Sequence, residues 1–487
     1  MKKPLRILFL SSEVTPFAKT GGLADVAGSL PDALKRLGAD VSIALPFYRV
    51  TEEAGFSPQL LFQGLQVPLG RATLTSHVLQ TQTKEGVPVY LFQREDLFDR
   101  PNLYATPEGD YYDNLERFTH FSRAALLFLK QTGSPVDVIH CHDWQTGLVP
   151  AYLKTVYGDD ALFASTATVF TIHNIGYQGL FPQEKLAICG LPPQVFQMEG
   201  LEYWGQISFL KAGMVYADAL TTVSPSYARE IQNPEFGLGM EGVLQKRARD
   251  LHGILNGVDY ERWSPDKDPD IPYPYDRHRP GEKARNKEAL LNEMGLKEAL
   301  QDRPLFGMIS RLSAQKGCDL LVQVMHEMVG LGAGLVILGS GEEKYQALLD
   351  DMARKHPEAV SLRIGFDESL AHRIMAGADI LLIPSLYEPC GLTQMYALKY
   401  GTVPLVRATG GLNDTIVPFD PQAKQGNGFK FGPYRAEALM GSVKEAVRLY
   451  QDPAAWQVLM ANGMREDFSW DRSARRYLDL YESILST

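Results

Sequence analysis

Glu388 has the clearest potential for chemistry, because it lies in a short loop between a predicted strand and a predicted helix. The segment 379–383, in which four apolar residues follow an aspartate, predicts a strand of a covered parallel sheet. After two prolines, Gly391 precedes a helix that begins near Leu392 and Thr393. Free N–H groups at such a helix start attract phosphate. The loop therefore suits a sugar held next to a leaving phosphate; the alternative is an incidental glutamate in a surface loop.

A second candidate segment, Lys19-Thr-Gly-Gly-Leu, follows the first predicted strand and leads into a helix. Gly22 and the glycine before it allow the backbone to approach a ligand closely, and Lys19 adds a mobile positive charge. A diphosphate or a glucosyl ring would fit such a loop; a helix-capping turn is the alternative. Glu13, earlier in the loop, would accept hydrogen bonds from sugar hydroxyls unless it is a solvated surface residue.

Two cations form the third candidate group. Arg311 and Lys316 follow the predicted strand 305–309 and share one loop at its carboxyl end. A planar guanidinium and a compact ammonium group on one loop fit the binding of a diphosphate. Unpaired surface cations are the alternative.

Polar residues also follow two strands of the first half. The run from His140 to Asp143 does not predict a metal site, because neighbouring residues on a strand point to opposite faces. We interpret Asp143 as a carboxylate for sugar hydroxyls and Trp144 as an aromatic face for sugar stacking. His173 ends another strand at the same edge, and its position is equally compatible with a structural histidine.

The elements that position these loops follow a regular order. Short apolar runs alternate with helical patterns, which predicts two doubly wound, Rossmann-like α/β domains facing a deep cleft. A proline-rich segment over residues 255–280 is the best linker candidate. The aspartates of residues 266–270 resemble the paired aspartates with which some transferases bind a divalent metal, but their position between prolines favours a solvated turn. An amphipathic helix is predicted over residues 473–485.

Composition excludes several classes of protein. The 48 basic and 58 acidic residues leave a formal charge of −10, which argues against binding to nucleic acid or to anionic membranes. Four widely spaced cysteines predict reduced thiols, and Arg6 interrupts the only run that resembles a signal peptide. No run is long and apolar enough to span a bilayer. We therefore expect a cytoplasmic protein.

Taken together, the motifs resemble those of bacterial glycogen synthases and plastid starch synthases, which are retaining glucosyltransferases of the GT-B fold. Two positions depart from the family pattern: Tyr396 occupies the place of a second glutamate found in related enzymes, and Asn413 alters the second Gly-Gly-Leu motif. The motifs that carry the resemblance are Lys19-Thr-Gly-Gly-Leu, His142-Asp-Trp144, Thr171-Ile-His-Asn174, Asn256-Gly-Val-Asp259, Arg311 with Lys316, Glu388-Pro-Cys-Gly-Leu-Thr-Gln394 and Thr409-Gly-Gly-Leu412.

The resemblance implies a domain division and a set of roles. It places an N-terminal acceptor-side domain at residues 1–255, a donor-side domain at 256–467, and a helix at 468–487 that crosses back to the first domain. The predicted catalytic residues are Glu388, His173, Asp143, Lys316 and Arg311; the predicted donor contacts are Lys19, Gly22, Asn256, Arg311, Lys316, Gly391, Leu392 and Thr393; the predicted acceptor contacts are Glu13 and Trp144.

The expected reaction also follows from the resemblance. It is the transfer of glucose from ADP-glucose to the non-reducing end of an α-1,4-glucan, such as glycogen or a maltooligosaccharide, with retention of configuration. We expect no cofactor and no metal ion, because cations of the protein would neutralise the diphosphate. The alternatives are a GT-B enzyme that uses UDP-glucose and a non-catalytic glucan-binding protein; intact cationic residues argue against the latter.

Overall fold

A computed structural model describes residues 3–486, and the chain divides into two compact units. Unit 1 comprises the chain up to Gly257 together with the residues from Trp470 onwards, and unit 2 comprises Val258–Ser469. Both junctions lie two residues after the predicted boundaries. None of the helices within residues 3–486 combines the length and the apolarity that crossing a membrane requires.

Unit 1 is built on a nine-stranded sheet with the strand order β14-β13-β9-β8-β1-β2-β5-β4-β3. Seven of these strands are parallel, and the β3–β4 hairpin adds an antiparallel edge. The nine strands are β1 (Arg6–Leu10), β2 (Asp40–Pro46), β3 (Gln59–Leu69), β4 (Ala72–Gln82), β5 (Pro88–Gln93), β8 (Val138–His142), β9 (Ala167–Ile172), β13 (Ala219–Thr222) and β14 (Leu251–Gly253). Two small sheets accompany them: β6 (Ala105–Thr106) pairs with β7 (Gly109–Asp110), and β12 (Gln206–Ser208) pairs with β10 (Leu180–Pro182) and β11 (Glu202–Tyr203).

Helices of unit 1 connect these strands and cover the parallel part of the sheet. Strands β1, β8 and β9 are buried almost throughout, as expected for a parallel sheet covered on both faces. The helices are α1 (Gly22–Arg36), α2 (Arg49–Glu53), α3 (Glu95–Phe98), α4 (Asn114–Thr132), α5 (Leu148–Lys154), α6 (Leu186–Cys189), α7 (Phe209–Tyr216), α8 (Pro225–Glu230), α9 (Pro234–Gly237) and α10 (Glu241–Lys246). Helix α19 (Trp470–Leu485) follows unit 2 in the sequence but also belongs to unit 1.

Helix α19 completes unit 1. Its buried face includes Tyr477 and Tyr481, whereas Leu485 at its end is exposed. Asp471 accepts a hydrogen bond from Arg36 of α1 at 2.7 Å. The Tyr481 hydroxyl lies 2.7 Å from Nδ1 of the buried His140 on β8. The predicted amphipathic helix therefore packs against the elements of the first unit.

Unit 2 contains a six-stranded, fully parallel sheet with the order β17-β16-β15-β18-β19-β20. The strand order reverses between β15 and β18, where ligands of doubly wound folds bind beyond the carboxyl ends. The strands are β15 (Leu305–Ile309), β16 (Gly334–Gly339), β17 (Val360–Ile364), β18 (Ile380–Ile383), β19 (Val403–Arg407) and β20 (Phe429–Phe431), and the helices are α11 (Glu282–Glu293), α12 (Cys318–Gly330), α13 (Glu343–Lys355), α14 (Glu368–Gly377), α15 (Thr393–Lys399), α16 (Gly410–Thr415), α17 (Ala436–Tyr450) and α18 (Pro453–Arg465).

The proline-rich segment is packed against unit 2, so the prediction of a solvated turn is wrong for its central residue. Asp268 is 2% exposed, and its carboxylate accepts hydrogen bonds from the Tyr400 hydroxyl at 2.5 Å and from His372 Nδ1 at 2.7 Å. Asp268, Asp270 and His372 each offer one possible metal ligand, and these atoms lie within 4.8 Å of one another. The hydrogen bonds to Asp268 give this cluster a structural role without an ion.

Candidate active site

An ion pair lies at the switch point of unit 2. Lys316, in the loop after β15, places its ammonium 2.6 Å from Oε2 of Glu388, in the loop after β18. The Ser385 hydroxyl donates to the same oxygen at 3.0 Å. The Glu388 residue is 8% exposed. The structure thus brings two predicted catalytic residues together and fixes the carboxylate with two donors.

A glycine permits the close approach of these two loops. Gly317 has a φ of 79°, and a Cβ atom at this residue would lie 2.3 Å from the carbonyl oxygen of Pro384. Any other residue would therefore push the loop that carries Lys316 away from the loop that carries Glu388. Arg311 lies exposed in the first of these loops, 3.4 Å from Gln315, so its guanidinium is accessible to an anion.

The second Gly-Gly motif, Thr409-Gly-Gly-Leu412, packs against the backbone of the loop that carries Glu388. The N–H of Gly411 donates to the carbonyl oxygen of Glu388 at 3.1 Å. A Cβ atom at Gly410 would lie 1.9 Å from that same oxygen. The close approach of this motif is to the protein backbone.

The predicted helix start exists, although the helix is short. Gly391 has a φ of 69°, Leu392 precedes the helix, and α15 runs for seven residues from Thr393. The Gln394 side chain donates to the carbonyl oxygens of Cys390 and Gly391 and so braces this turn. Because the helix is short, the cations near it are the stronger attraction for a phosphate.

In unit 1, the structure contradicts the predicted sugar contact of Glu13. This residue is 4% exposed, and both of its carboxylate oxygens are already hydrogen-bonded. Its donors are the N–H and hydroxyl of Thr20 at 2.5 and 2.6 Å, the N–H of Gly21 at 3.0 Å and the Tyr104 hydroxyl at 2.8 Å. Glu13 therefore positions the glycine loop and is not free to bind an acceptor.

The glycine loop itself is open. Gly21 and Gly22 are exposed, and a Cβ atom built on either has no described atom within 4 Å. The Lys19 ammonium pairs with Asp25 of α1 at 2.7 Å, and the lysine side chain remains 41% exposed. This geometry leaves room for a ligand above the loop, as predicted for Lys19 and Gly22, whose donor contacts stay predictions.

Asp143 adopts an unusual backbone conformation at the end of β8, with a φ of 54° and a ψ of −177°. Such strain is concentrated at functional sites. Its Oδ1 accepts the backbone N–H of His173 at 2.8 Å, so it joins the loops after β8 and β9. Burial raises the pKa of its carboxyl to about 7.

The shifted Asp143 carboxyl predicts a pH-dependent stability difference. Since its folded pKa lies above the unfolded value, its contribution is favourable in acid and declines as pH rises through 7. Relative to Asp143→Asn, the wild-type free energy of unfolding should fall by about 3 kcal/mol between pH 4 and pH 7. Urea unfolding of both proteins at these two pH values measures the difference; a pH-independent difference would contradict the shift.

Trp144 does not offer the free aromatic face that we predicted. The residue is 8% exposed, and its ring contacts those of Phe118, Phe181 and Phe209 at centroid distances of 5.0, 5.8 and 6.4 Å. Its indole therefore anchors the loop after β8 in an aromatic cluster, and stacking on a sugar is excluded for most of its surface.

His173 and Asn256 are both close to fully buried. His173 is 9% exposed, its Nε2 lies 2.9 Å from Nδ1 of His142, and burial lowers its pKa to about 3. Asn256 is 6% exposed, and its buried Oδ1 has no hydrogen-bond partner within residues 3–486. The predicted contacts of both residues with the donor glucose stay predictions.

Tyr396, which replaces the second glutamate of related enzymes, has a packing role. Its ring stacks on Trp263 of the proline-rich segment at 4.1 Å with parallel planes. Trp263 in turn stacks on His372 at 3.8 Å. The position therefore supplies no carboxylate, and Glu388 is the carboxylate of this loop and helix.

Sequence reasoning missed three supporting side chains. Ser385 fixes Glu388, Tyr104 fixes Glu13, and Asp25 pairs with Lys19. Asp25 lies two residues after the Lys19-Thr-Gly-Gly-Leu motif, and Ser385 lies in the predicted loop that carries Glu388, so their proximity in the sequence was a usable signal. Tyr104 lies 91 residues from Glu13 in a segment without a motif, and nothing in the sequence pointed to it.

Two doubly wound units with polar residues beyond the switch points of their parallel sheets define a glycosyltransferase of the GT-B fold. The family model of the starch synthase catalytic domain matches residues 6–246, and that of the glycosyl transferases group 1 matches residues 295–457. The chain belongs to the glycogen and starch synthase family.

Individual relatives are similar to this protein along almost the whole chain. It is 48% identical to a glycogen synthase of Syntrophotalea carbinolica and 47% identical to one of Geotalea daltonii, with 99% of each chain covered. Among solved structures it is similar to the catalytic domain of starch synthase IV from Arabidopsis thaliana bound to ADP and acarbose, with a TM-score of 0.91, 33% identity, and 99% and 100% of the two chains covered.

Proposed function

We propose that this enzyme transfers glucose from ADP-glucose to the non-reducing end of an α-1,4-glucan, retains the α configuration and releases ADP. The observation that carries the proposal is the Lys316–Glu388 pair at the switch point of unit 2, with Arg311 exposed in the same loop as Lys316. The glycogen synthases among its relatives and the ADP and acarbose bound to the similar starch synthase IV support this choice of donor and acceptor.

Unit 2 would supply the electrostatics of bond cleavage. Arg311 and Lys316 would neutralise the charge that develops on the diphosphate as its bond to the anomeric carbon breaks. Glu388, held by Lys316 and Ser385, would stabilise the positive charge that develops on the glucosyl ring. In this proposal the leaving phosphate oxygen accepts the proton of the attacking glucan hydroxyl, so no enzyme nucleophile is needed.

Unit 1 would hold sugar groups. The open surface above Gly21 and Gly22 has room for a ligand, and Asp143 and His173 lie on adjoining loops at the switch point between β1 and β8. These groups would restrict the glucosyl ring and exclude water, which favours transfer over hydrolysis.

The direct test compares ADP-glucose with UDP-glucose, each with glycogen as acceptor, and follows nucleoside diphosphate release and glucan growth. We expect growth with ADP-glucose and α-1,4 linkages in the product. Preference for UDP-glucose would establish the alternative donor. Binding of glycogen without transfer from either donor would indicate a non-catalytic glucan-binding protein.

A substitution of Lys19 tests the donor role of the glycine loop. Lys19→Gln should raise the KM for the sugar nucleotide about 10- to 100-fold, because a hydrogen bond to a charged group contributes roughly 1.5–3 kcal/mol. The KM for glycogen should change little. Asp25→Asn is the matched control, since it frees Lys19 from its ion pair without removing the cation. A loss of glycogen affinity alone would place Lys19 at the acceptor site.

Activity is expected to need no divalent metal. Mg²⁺ requires clustered oxygen ligands, whereas Arg311 and Lys316 would neutralise the diphosphate directly. Initial rates should survive EDTA treatment and dialysis. The cluster of Asp268, Asp270 and His372 provides a control, because His372→Gln would alter any effect of a metal bound there. Full inactivation that only Mg²⁺ or Mn²⁺ reverses would refute the expectation.

A further inference from the structure

The histidine that precedes Asp143 in the sequence makes one specific contact. His142 is the last residue of β8, and His173 is the first residue after the neighbouring strand β9. Nδ1 of His142 lies 2.9 Å from Nε2 of His173. The His142 ring is 0% exposed and packs against His140 at 4.2 Å and Phe9 at 5.3 Å between centroids. The ring is therefore held in one position and contacts a predicted catalytic residue.

The hydrogen bond between the two rings requires one donor and one acceptor. Burial lowers the pKa of both imidazoles well below the ordinary value, so both are neutral and each carries one N–H. Two arrangements remain. Either His142 donates from Nδ1 to Nε2 of His173, or His173 donates from Nε2 to Nδ1 of His142.

The environment of the other His142 nitrogen distinguishes these arrangements. Nε2 of His142 is buried and has no hydrogen-bond partner within residues 3–486. The second arrangement would put the His142 proton on this atom and leave a buried N–H unpaired. A buried N–H without a partner is rarer in proteins than a buried acceptor without one. The first arrangement is therefore favoured, with the His142 proton on Nδ1.

The tautomer of His142 determines that of His173. If Nε2 of His173 accepts a hydrogen bond from His142, the proton of His173 must lie on Nδ1. Since Nε2 is occupied, Nδ1 is the ring nitrogen left for a ligand. His173 would then present a donor, whose partner is an oxygen lone pair such as that of a sugar hydroxyl.

We propose that His142 is a positioning residue that donates from Nδ1 to Nε2 of His173 and thereby holds His173 in the Nδ1–H form, ready to donate to an oxygen of the transferred sugar. The sugar as ligand rests on the proposed function, but the tautomer does not. The role goes beyond that function, because the proposed glucose transfer assigns no task to His142.

The test is a long-range ¹H–¹⁵N correlation spectrum of the full chain with ¹⁵N-labelled histidine, which distinguishes Nδ1–H from Nε2–H rings. The chain has ten histidines, and the spectra of His142→Asn and His173→Gln assign the two signals. We expect the Nδ1–H form for both residues in the wild type. An Nε2–H form at either residue would overturn the proposal.

Variants separate positioning from packing. His142→Leu removes the donor, so His173 should lose its single tautomer and kcat/KM should fall about tenfold, as for the loss of one hydrogen bond. His142→Asn places an amide N–H where Nδ1 was and should restore the tautomer and most of the activity. His140→Leu, on the same strand but without a hydrogen bond to His173, should lower Tm and leave the His173 tautomer unchanged.

An unchanged His173 tautomer in His142→Leu would show that His142 only fills space. The spectra require no substrate, so they decide the role of His142 even if neither ADP-glucose nor UDP-glucose is a donor.

Discussion

Replacing Glu388 by alanine is expected to lower kcat about 10²–10³-fold, the scale of losing one preorganised polar contact to a reacting group. The carboxylate lies at the switch point of unit 2, where Lys316 and Ser385 hold it. Its removal should cost only about 1–2 kcal/mol of unfolding free energy, because the Lys316 side chain is 19% exposed and can turn towards water. Steady-state kinetics and urea unfolding measure the two effects.

Glu388→Gln refines this experiment. The amide keeps the shape of the side chain and an acceptor for Ser385 but removes the negative charge. If the charge stabilises the glucosyl ring, the glutamine variant should be nearly as inactive as the alanine variant. Wild-type turnover by a folded Glu388→Ala protein would exclude the assignment.

Asp379→Ala should give the opposite pattern, with a loss of about 3–5 kcal/mol in the unfolding free energy of unit 2. Asp379 precedes β18, at the other end of the strand from Glu388, and accepts hydrogen bonds from Lys287 at 2.7 Å and from the N–H of Leu305 at 2.9 Å. The Lys287 side chain is 4% exposed, so the substitution leaves its buried ammonium group without a carboxylate partner. Activity per folded molecule should remain that of the wild type.

Asp379→Asn is the matched control for this second pair. Its amide oxygen still accepts from Leu305, so the loss of stability should be smaller than for alanine. Urea unfolding followed by activity measurements in native buffer separates the two quantities. An Asp379→Ala protein of normal stability would show that the pair contributes nothing, and a loss of specific activity would link the pair to the loops that carry Lys316 and Glu388.

The parallel part of the fold was predictable because buried strands are continuous apolar runs. The predicted strands at residues 305–309 and 379–383 correspond to β15 (Leu305–Ile309) and β18 (Ile380–Ile383). The β3–β4 hairpin was missed for a local reason: β3 contains Gly64 and Pro68, which ordinarily argue against a strand. The pairing of β3 with β4 shifts register between Phe62 and Leu65, and this irregularity accommodates Gly64.

Site residues were predictable where the end of a strand determines the position of the side chain. They were not predictable where contacts inside the protein determine the role of the side chain. Lys316 and Glu388 follow adjacent strands, so topology alone placed them together. Glu13 and Trp144 also follow strands, but their side chains face the protein interior. Their partners, Tyr104 and the phenylalanine cluster, come from distant segments, and no local pattern reveals such a contact.

Helix α19 has a consequence for the order of biosynthesis. A ribosome makes the sheet of unit 1 first, then all of unit 2, and only afterwards Trp470–Leu485. Unit 2 is continuous in sequence and can fold as it emerges, whereas the nascent first unit must wait with the surface for Tyr477 and Tyr481 uncovered. A chain cut short before Trp470 would retain Lys316 and Glu388 yet lack part of its first core. Such a truncated chain would therefore expose apolar surface of unit 1 while keeping the polar pair of unit 2.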